Sequence, residues 1–168
     1  MDILEIIRAW LVYFILVFIF VYDLKYMAIE DSVLLPGAGL VLILNFSANP
    51  LINSLAGLDF LARLGQMILA ILIGVGFFAC QYILTRGKGI GLGDLRIGFF
   101  MAAVLGHWST ICLALVISYL IGSVASLFLI IFKKKGVKSE IPLGPFLALG
   151  TFFLFVFGQE IIDIIMKT

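Results

Sequence analysis

From Ala9 to Tyr22 the chain reads AWLVYFILVFIFVY, with no charged side chain between Arg8 and Asp23. A segment that is apolar on every face has no side to turn toward water, so it belongs in a membrane or a large core. Runs like it recur along the chain, parted by short stretches that collect glycine, lysine and aspartate. The chain has 168 residues, 64% hydrophobic and 12% charged, with sixteen Phe and a mean hydropathy of +1.26. Soluble domains carry about 25% charged residues, so too little polar surface exists here to wet a globule. The chain reads as an all-α, polytopic integral membrane protein, and its length suits one membrane-embedded domain over 1–168.

A spanning helix needs about 20 mostly apolar residues, fewer where the bilayer thins or helices pack together. Six candidate transmembrane helices satisfy this: Ile6–Tyr22, Val33–Phe46, Leu64–Leu84, Leu95–Leu105, Ile111–Phe132 and Leu143–Ile162. The second and fourth are short, and Gly106–Trp108 (GHW) allows only a tight turn. The first is not expected to be a removable signal peptide, since Asp2 and Glu5 precede it and no small-residue cleavage site follows. Cys80 and Cys112 sit in apolar runs without metal-ligand spacing and read as buried small hydrophobes.

Six spans put both termini on one side. The loops opposite them hold Lys25, Arg86, Lys88, Lys133, Lys134, Lys135 and Lys138, with Arg96 just inside the fourth helix; the terminal side has Arg8, Arg63 and Lys167. Basic residues concentrate in cytoplasmic loops, so the 23–32, 85–94 and 133–141 loops are expected in the cytoplasm and the termini outside. The lysine cluster lacks the aromatic interleaving of a nucleic-acid surface, and no nucleic-acid partner is expected.

Of the ten acidic residues, most fall in termini or loops. Asp23 ends the first apolar run and Asp94 opens the fourth, which puts both at the cytoplasmic mouths of their helices. Ionisable groups at membrane depth are costly and by default functional. Bland roles exist for each: Asp94 as a helix N-cap, Asp23 as an interfacial acid paired with Lys25 or Arg96. Two carboxylates brought close share one proton, giving a base for water and an acid for a peptide carbonyl. Asp94 closes GKGIGLGDLRIG (Gly87–Gly98), whose glycines admit positive φ and close approach of a substrate backbone. The stretch lacks the Lys-Ser/Thr end of a phosphate loop, and no strand precedes it as a dinucleotide fingerprint requires.

Three stretches together resemble the type IV prepilin peptidases, a family of GxGD membrane aspartic proteases. DLKYMAIED (Asp23–Asp31) is similar to the family's first aspartate box. GIGLGDLRIG (Gly89–Gly98) matches the second, with GLGD as its GxGD motif, and IPLGPFLALG (Ile141–Gly150) matches a third stretch of bacterial members. The resemblance implies Asp23 and Asp94 as the catalytic pair and Gly91 and Gly93 as site-shaping residues. Pro142, Gly144 and Pro145 would line or brace the site. Asp31 competes with Asp23 for the first role, although the box puts it in a following Asn/Asp position. Glu30 stands where the family usually has proline, so the local bend is expected to differ. Larger members carry an N-terminal part with two Cys-x-x-Cys pairs and N-methyltransferase activity; nothing comparable precedes the first helix, and cleavage without methylation is expected.

The implied activity is that of an aspartic endopeptidase in the cell membrane. It would remove the basic leader of a pilin, pseudopilin or archaellin-like precursor whose apolar N-terminal helix lies in the bilayer. No metal and no cofactor are called for. His107, on the outer turn, reads as structural. Gly74, Gly76, Ala79, Gly122 and Ser123 read as helix-packing residues, with a substrate-helix contact as the alternative. The rival class is a non-catalytic transporter or assembly subunit that uses the paired aspartates as a proton or cation site. Oligomeric state is left open.

Overall fold

The computed structural model describes residues 3–48, 60–87, 89–132 and 142–166. Lys88, Lys133, Lys134, Lys135, Lys138, Lys167, Asp2, Asp59, Glu140 and Ile141 lie outside the described residues. Among those described, six α-helices and no strand occur: α1 (Ile3–Tyr26), α2 (Asp31–Ala48), α3 (Phe60–Thr85), α4 (Leu92–Leu105), α5 (Trp108–Ile131) and α6 (Gly144–Met166). α1, α3 and α5 are long and apolar enough to cross a membrane, while α2 and α6 contribute shorter apolar stretches, Asp31–Asn45 and Gly144–Gly158.

Each expected segment is helical, but several helices outrun their apolar windows. Hydropathy stops at the first charge, whereas a helix stops where its end groups find a cap. α1 therefore continues past Tyr22 and holds Asp23 inside its last turns. It ends at Met27, whose φ of 47° is left-handed and whose N–H donates to the Asp23 carbonyl at 2.9 Å. α3 ends in a Schellman turn. Arg86 (φ 52°) and Gly87 (φ 72°) are left-handed, and the Gly87 and Arg86 amides donate to the Tyr82 and Ile83 carbonyls. Gly106, φ 69°, closes α4 with its N–H on the Ala102 carbonyl. His107 then caps α5, its ring Nδ1 accepting the Ser109 N–H at 3.2 Å, a structural task.

α4 is the core of the bundle. Phe100, Met101, Ala102, Ala103 and Leu105 expose no surface, and α2, α3, α5 and α6 all pack on this helix. Its approach to α3 is set by two facing glycines: a Cβ on Gly74 would lie 2.6 Å from the Gly98 carbonyl oxygen. Gly122 similarly seats Phe146, while Gly76 and Ser123 face outward. Two of the five small residues thus serve packing within the chain. The outer helices turn large apolar side chains away from the bundle, with Trp10 72%, Phe14 65% and Leu84 77% exposed. In water that surface would be a severe liability; in a bilayer it is the solvent-matched face of a polytopic membrane protein. Cys80 corrects an expectation here, because it lies on the exposed surface and not in the core. Lipid accepts a thiol as readily as a protein interior does, so an apolar run alone does not say which way the side chain points.

Candidate active site

One end of the bundle gathers the C-terminus of α1 and the N-termini of α2, α4 and α6. There a cavity of about 370 Å³ opens, lined by Asp23, the Met27–Ile29 connector, Gly87, the Gly89–Gly91 stretch, Gly93, Asp94, Arg96, Pro142 and Leu143. Asp23 and Asp94, 71 positions apart in sequence, share its wall.

Asp23 is 7% exposed. Its Oδ2 accepts the Gly144 N–H at 2.8 Å. Gly144 opens α6, so the carboxylate sits on an unpaired amide at the positive end of a helix, where an anion is stabilised. The contact demands glycine. A Cβ at 144 would stand 2.5 Å from Asp23 Oδ2 and 2.9 Å from its Cγ. Pro145 follows in the first helical turn, where its missing N–H costs nothing, and Leu143 accepts the Phe146 and Leu147 amides at 3.1 Å. Pro142 lines the cavity and Pro145 braces the helix start.

Asp94 lies in the first turn of α4, ahead of the Leu95–Leu105 apolar run. Gly91, not Asp94, is the N-cap residue. Asp94 Oδ2 reaches back to accept the Gly91 N–H at 3.0 Å, and the Asp94 N–H donates to the Gly91 carbonyl at 3.2 Å. Helix capping and cavity lining therefore coincide in one residue. Burial pushes the Asp94 carboxyl up to about 6; the Gly91 N–H opposes this, and the charge of Asp23 adds to it. Asp94 thus feels the charge of Asp23, the smallest of the three influences on it. Each has Oδ2 tied to a helix-start amide, and among the described residues neither Oδ1 has a hydrogen-bond partner.

The glycines work differently from the expectation of positive φ. Gly91 has φ −85° and acts as amide donor. Gly93 supplies room, because a Cβ there would lie 2.7 Å from Ile29 Cδ1, so its absence lets the connector close over the cavity. Of the four glycines at 87, 89, 91 and 93, only Gly87 is left-handed.

Asp31, the competitor for the first role, is in an ion pair with Arg96, the two side chains 43% and 38% exposed. That pair takes the cation the sequence offered to Asp23. Lys25 lies over the Tyr26 ring at 4.9 Å. Glu30, in the proline position, accepts from Ser32 Oγ at 2.8 Å and from Tyr22 OH at 3.3 Å, and its carbonyl takes the Leu34 N–H. It builds by side-chain hydrogen bonds the corner that a proline would stiffen. Sequence reasoning missed the Gly144 amide as the partner of Asp23, because a backbone donor leaves no side-chain signature. It also counted Arg8 as a terminal charge, though Arg8 is 5% exposed and bonded to Asn45. The available signal was the presence of Arg8 and Asn45 inside apolar runs.

A sequence profile of the type IV leader peptidase family matches residues 10–127, which include both aspartates and stop short of Pro142. Among curated proteins, the prepilin leader peptidase/N-methyltransferase of Aeromonas salmonicida (strain A449) is 29% identical over 155 residues, 91% of this chain and 50% of the relative. The protein of the same name from Aeromonas hydrophila is 28% identical over 159 residues, 91% of this chain and 50% of its own length. That of Pseudomonas putida is 26% identical over 135 residues, 79% of this chain and 43% of its own. The chain spans about half the length of the curated relatives it matches. No solved structure matches it.

Proposed function

Since this chain belongs to the type IV leader peptidase family, we propose that it is a membrane aspartic endopeptidase removing the leader of prepilin-like precursors at the cytoplasmic face of the cell membrane. The observation that carries the proposal is the shared cavity: two acids from distant parts of the chain line it, each held by one oxygen on a helix-start amide.

Asp94, which burial keeps protonated up to about pH 6, starts as the acid. Asp23, on the α6 amide, starts as the ionised base. Asp23 takes a proton from water as its oxygen attacks the scissile carbonyl carbon, and Asp94 gives its proton to the carbonyl oxygen. The tetrahedral intermediate then collapses. The proton on Asp23 passes to the leaving amine as the C–N bond breaks, and a gem-diol hydroxyl returns a proton to Asp94. Both carboxyls end as they began. The substrate's apolar helix stays in the bilayer and its basic leader in the cytoplasm, where the lysine- and arginine-rich loops are oriented by the charge rule. Pro142, Leu143 and the Gly89–Gly91 stretch form the walls that the peptide backbone passes.

The test uses purified wild type, Asp23→Asn and Asp94→Asn in detergent, with a prepilin-like substrate, and reads the mass of the new N-terminus. The mass also reports whether the new amine carries a methyl group. Cleavage by wild type and its loss in both variants supports the proposal. Cleavage surviving in either variant reassigns the pair, and no cleavage by wild type favours the rival proton- or cation-site role.

A further inference from the structure

The far end of α4 poses a problem. At 14 residues the helix is about 21 Å long, short of a hydrocarbon core of about 30 Å. Its last turn is enclosed by the bundle, with Ala103, Val104 and Leu105 at most 1% exposed, so its last carbonyls cannot turn to water. Gly106 satisfies Ala102. The Asn45 side-chain amide, from the end of α2, donates to the carbonyls of Ala103 and Val104. Asn45 is fully buried and its Oδ1 accepts from Arg8 Nη1 at 2.7 Å. Arg8, near the start of α1, also lies over the Phe155 ring of α6 at 5.1 Å. One buried cation thereby touches α2 and α6, and through Asn45 holds the negative end of the α4 dipole.

This tie and the aspartates occupy opposite ends of the same two helices. From Arg8 to Asp23 α1 rises about 22 Å, and from Asp94 to Val104 α4 descends about 15 Å. The tie therefore lies at the far end of both helices from the two carboxyls, where a slide of α4 along α1 would carry through to Asp94.

We propose that Arg8 and Asn45 are positioning residues that set the register of α4 against α1, and so the height of Asp94 relative to Asp23. The role in catalysis rests on the peptidase proposal above; the register itself does not. Besides this tie α4 is held by apolar contacts, by the close Gly74–Gly98 seam and, at its cavity end, by the half-exposed Arg96–Asp31 ion pair to α2, which contributes little at that exposure. Loss of the tie frees the carbonyls of Ala103 and Val104. They regain partners if α4 moves along its axis or its last turn frays, and either change carries through to Asp94.

The experiment reads register without using catalysis. Cys80 and Cys112 are replaced by Ala, and spin labels are placed at Lys25→Cys on α1 and Leu92→Cys on α4, both exposed positions. The label-to-label distance is measured with Arg8 and Asn45 intact and in the Asn45→Leu and Arg8→Met backgrounds. The expected result is a narrow distribution in the parent and one broadened or moved by several ångströms, up to one turn of about 5.4 Å, in each variant. An unchanged distribution in both overturns the proposal. Should either variant fail to fold, Asn45→Gln and Arg8→Lys keep a donor at each place with altered length and give graded shifts under the proposal, none without it. In the unlabelled chain, cleavage should show kcat down about a hundredfold, the cost of misplacing a catalytic group by about 1 Å, with KM within about twofold. Arg8→Lys should recover part of kcat. A lower melting temperature with parental distances and parental kcat marks the tie as structural only. Altered distances in a chain that cleaves nothing keep the register and reject the peptidase reading.

Discussion

Replacing Gly144 with Ala perturbs the site by a single methyl group whose position is defined. The new Cβ would lie 2.5 Å from Asp23 Oδ2, 2.9 Å from its Cγ and 3.1 Å from its Cβ. Real carbon–oxygen contacts do not close to that distance, so either the Asp23 carboxylate or the start of α6 must move by about 1 Å. Either movement stretches the 2.8 Å hydrogen bond from the Gly144 N–H. A bond to a charged acceptor is worth about 1.5–3 kcal/mol, and a 1 Å misplacement costs a rate of about a hundredfold, or about 2.7 kcal/mol. The two figures agree. Stability should change less, since the Asp23 side chain faces the cavity and can give way without unpacking the core. The expected outcome is kcat for leader cleavage down about a hundredfold, KM within about twofold, and a melting temperature within a few degrees of wild type. Gly76→Ala is the control, because nothing lies within 4 Å of a Cβ there. In the Asp23→Asn background Gly144→Ala should cost nothing further, as both act through the same carboxyl. Initial rates of cleavage in detergent, quantified by mass, decide the matter. A Gly144→Ala enzyme with wild-type kcat would refute the claim that this amide holds Asp23 in place.

The Asp94 carboxyl titrates near 6 against an ordinary 3.8, so the folded chain binds an extra proton between those values. The stability tied to that proton is complete below about pH 3.8 and lost as pH rises through about 6. Asp94→Asn escapes this loss, so thermal melts should show the variant gaining on wild type, by about 2–3 kcal/mol, as the buffer goes from about pH 4 to about pH 7; parallel curves would sink the prediction. Cleavage by wild type should fall above about pH 6 as the shared proton leaves, which a pH–rate profile checks. Asp31→Asn or Arg96→Met breaks an ion pair whose members are roughly 40% exposed, worth at most about 1 kcal/mol. Cleavage should stay within about tenfold of wild type for both, against a loss of a thousandfold or more for Asp23→Asn. Gly74→Ala drives a Cβ to 2.6 Å from the Gly98 carbonyl and should lower stability by about 1–3 kcal/mol in a denaturant or thermal series.

The bundle was legible because its information is coarse: an apolar run long enough to span announces a helix whatever surrounds it. The site was half legible. Asp23 and Asp94 could be expected at one end of the bundle because alternating spans bring the end of the first run and the start of the fourth to the same side, and the two do line one cavity. Their supports were not legible. The Gly144 and Gly91 amides are main-chain groups, and no side-chain pattern marks which helix start will receive a carboxylate. Pairing of Arg96 with Asp31 instead of Asp23 depends on how α2 leans over α4, a tertiary fact. The helix ends were misjudged where they matter most. Asp23 looks like a loop residue by hydropathy, yet it belongs to α1, and the helix is what gives its side chain a fixed direction.

The mouth of a membrane bundle leaves few places for a carboxylate that must ionise and yet stay out of bulk water, and the starts of α4 and α6 supply two of them. A helix start offers amides without partners and the positive end of a dipole, so an acid there is stabilised without a cation that would hold its proton off. Arg96 would be such a cation, and its engagement with Asp31 keeps it from neutralising the pair. Had Arg96 bridged to Asp94, the carboxyl would be driven down from the range near 6 where burial holds it, and the proton would leave at a correspondingly lower pH. The Asp31–Arg96 pair is therefore best understood as diverting a positive charge at the cavity wall. On this account Asp31→Asn should lower the apparent pKa of the cleavage profile by freeing the guanidinium to turn toward Asp94, whereas Arg96→Met should leave it at or above the wild-type value. A profile that moves in the same direction for both would show that the pair acts as a brace and not through its charge.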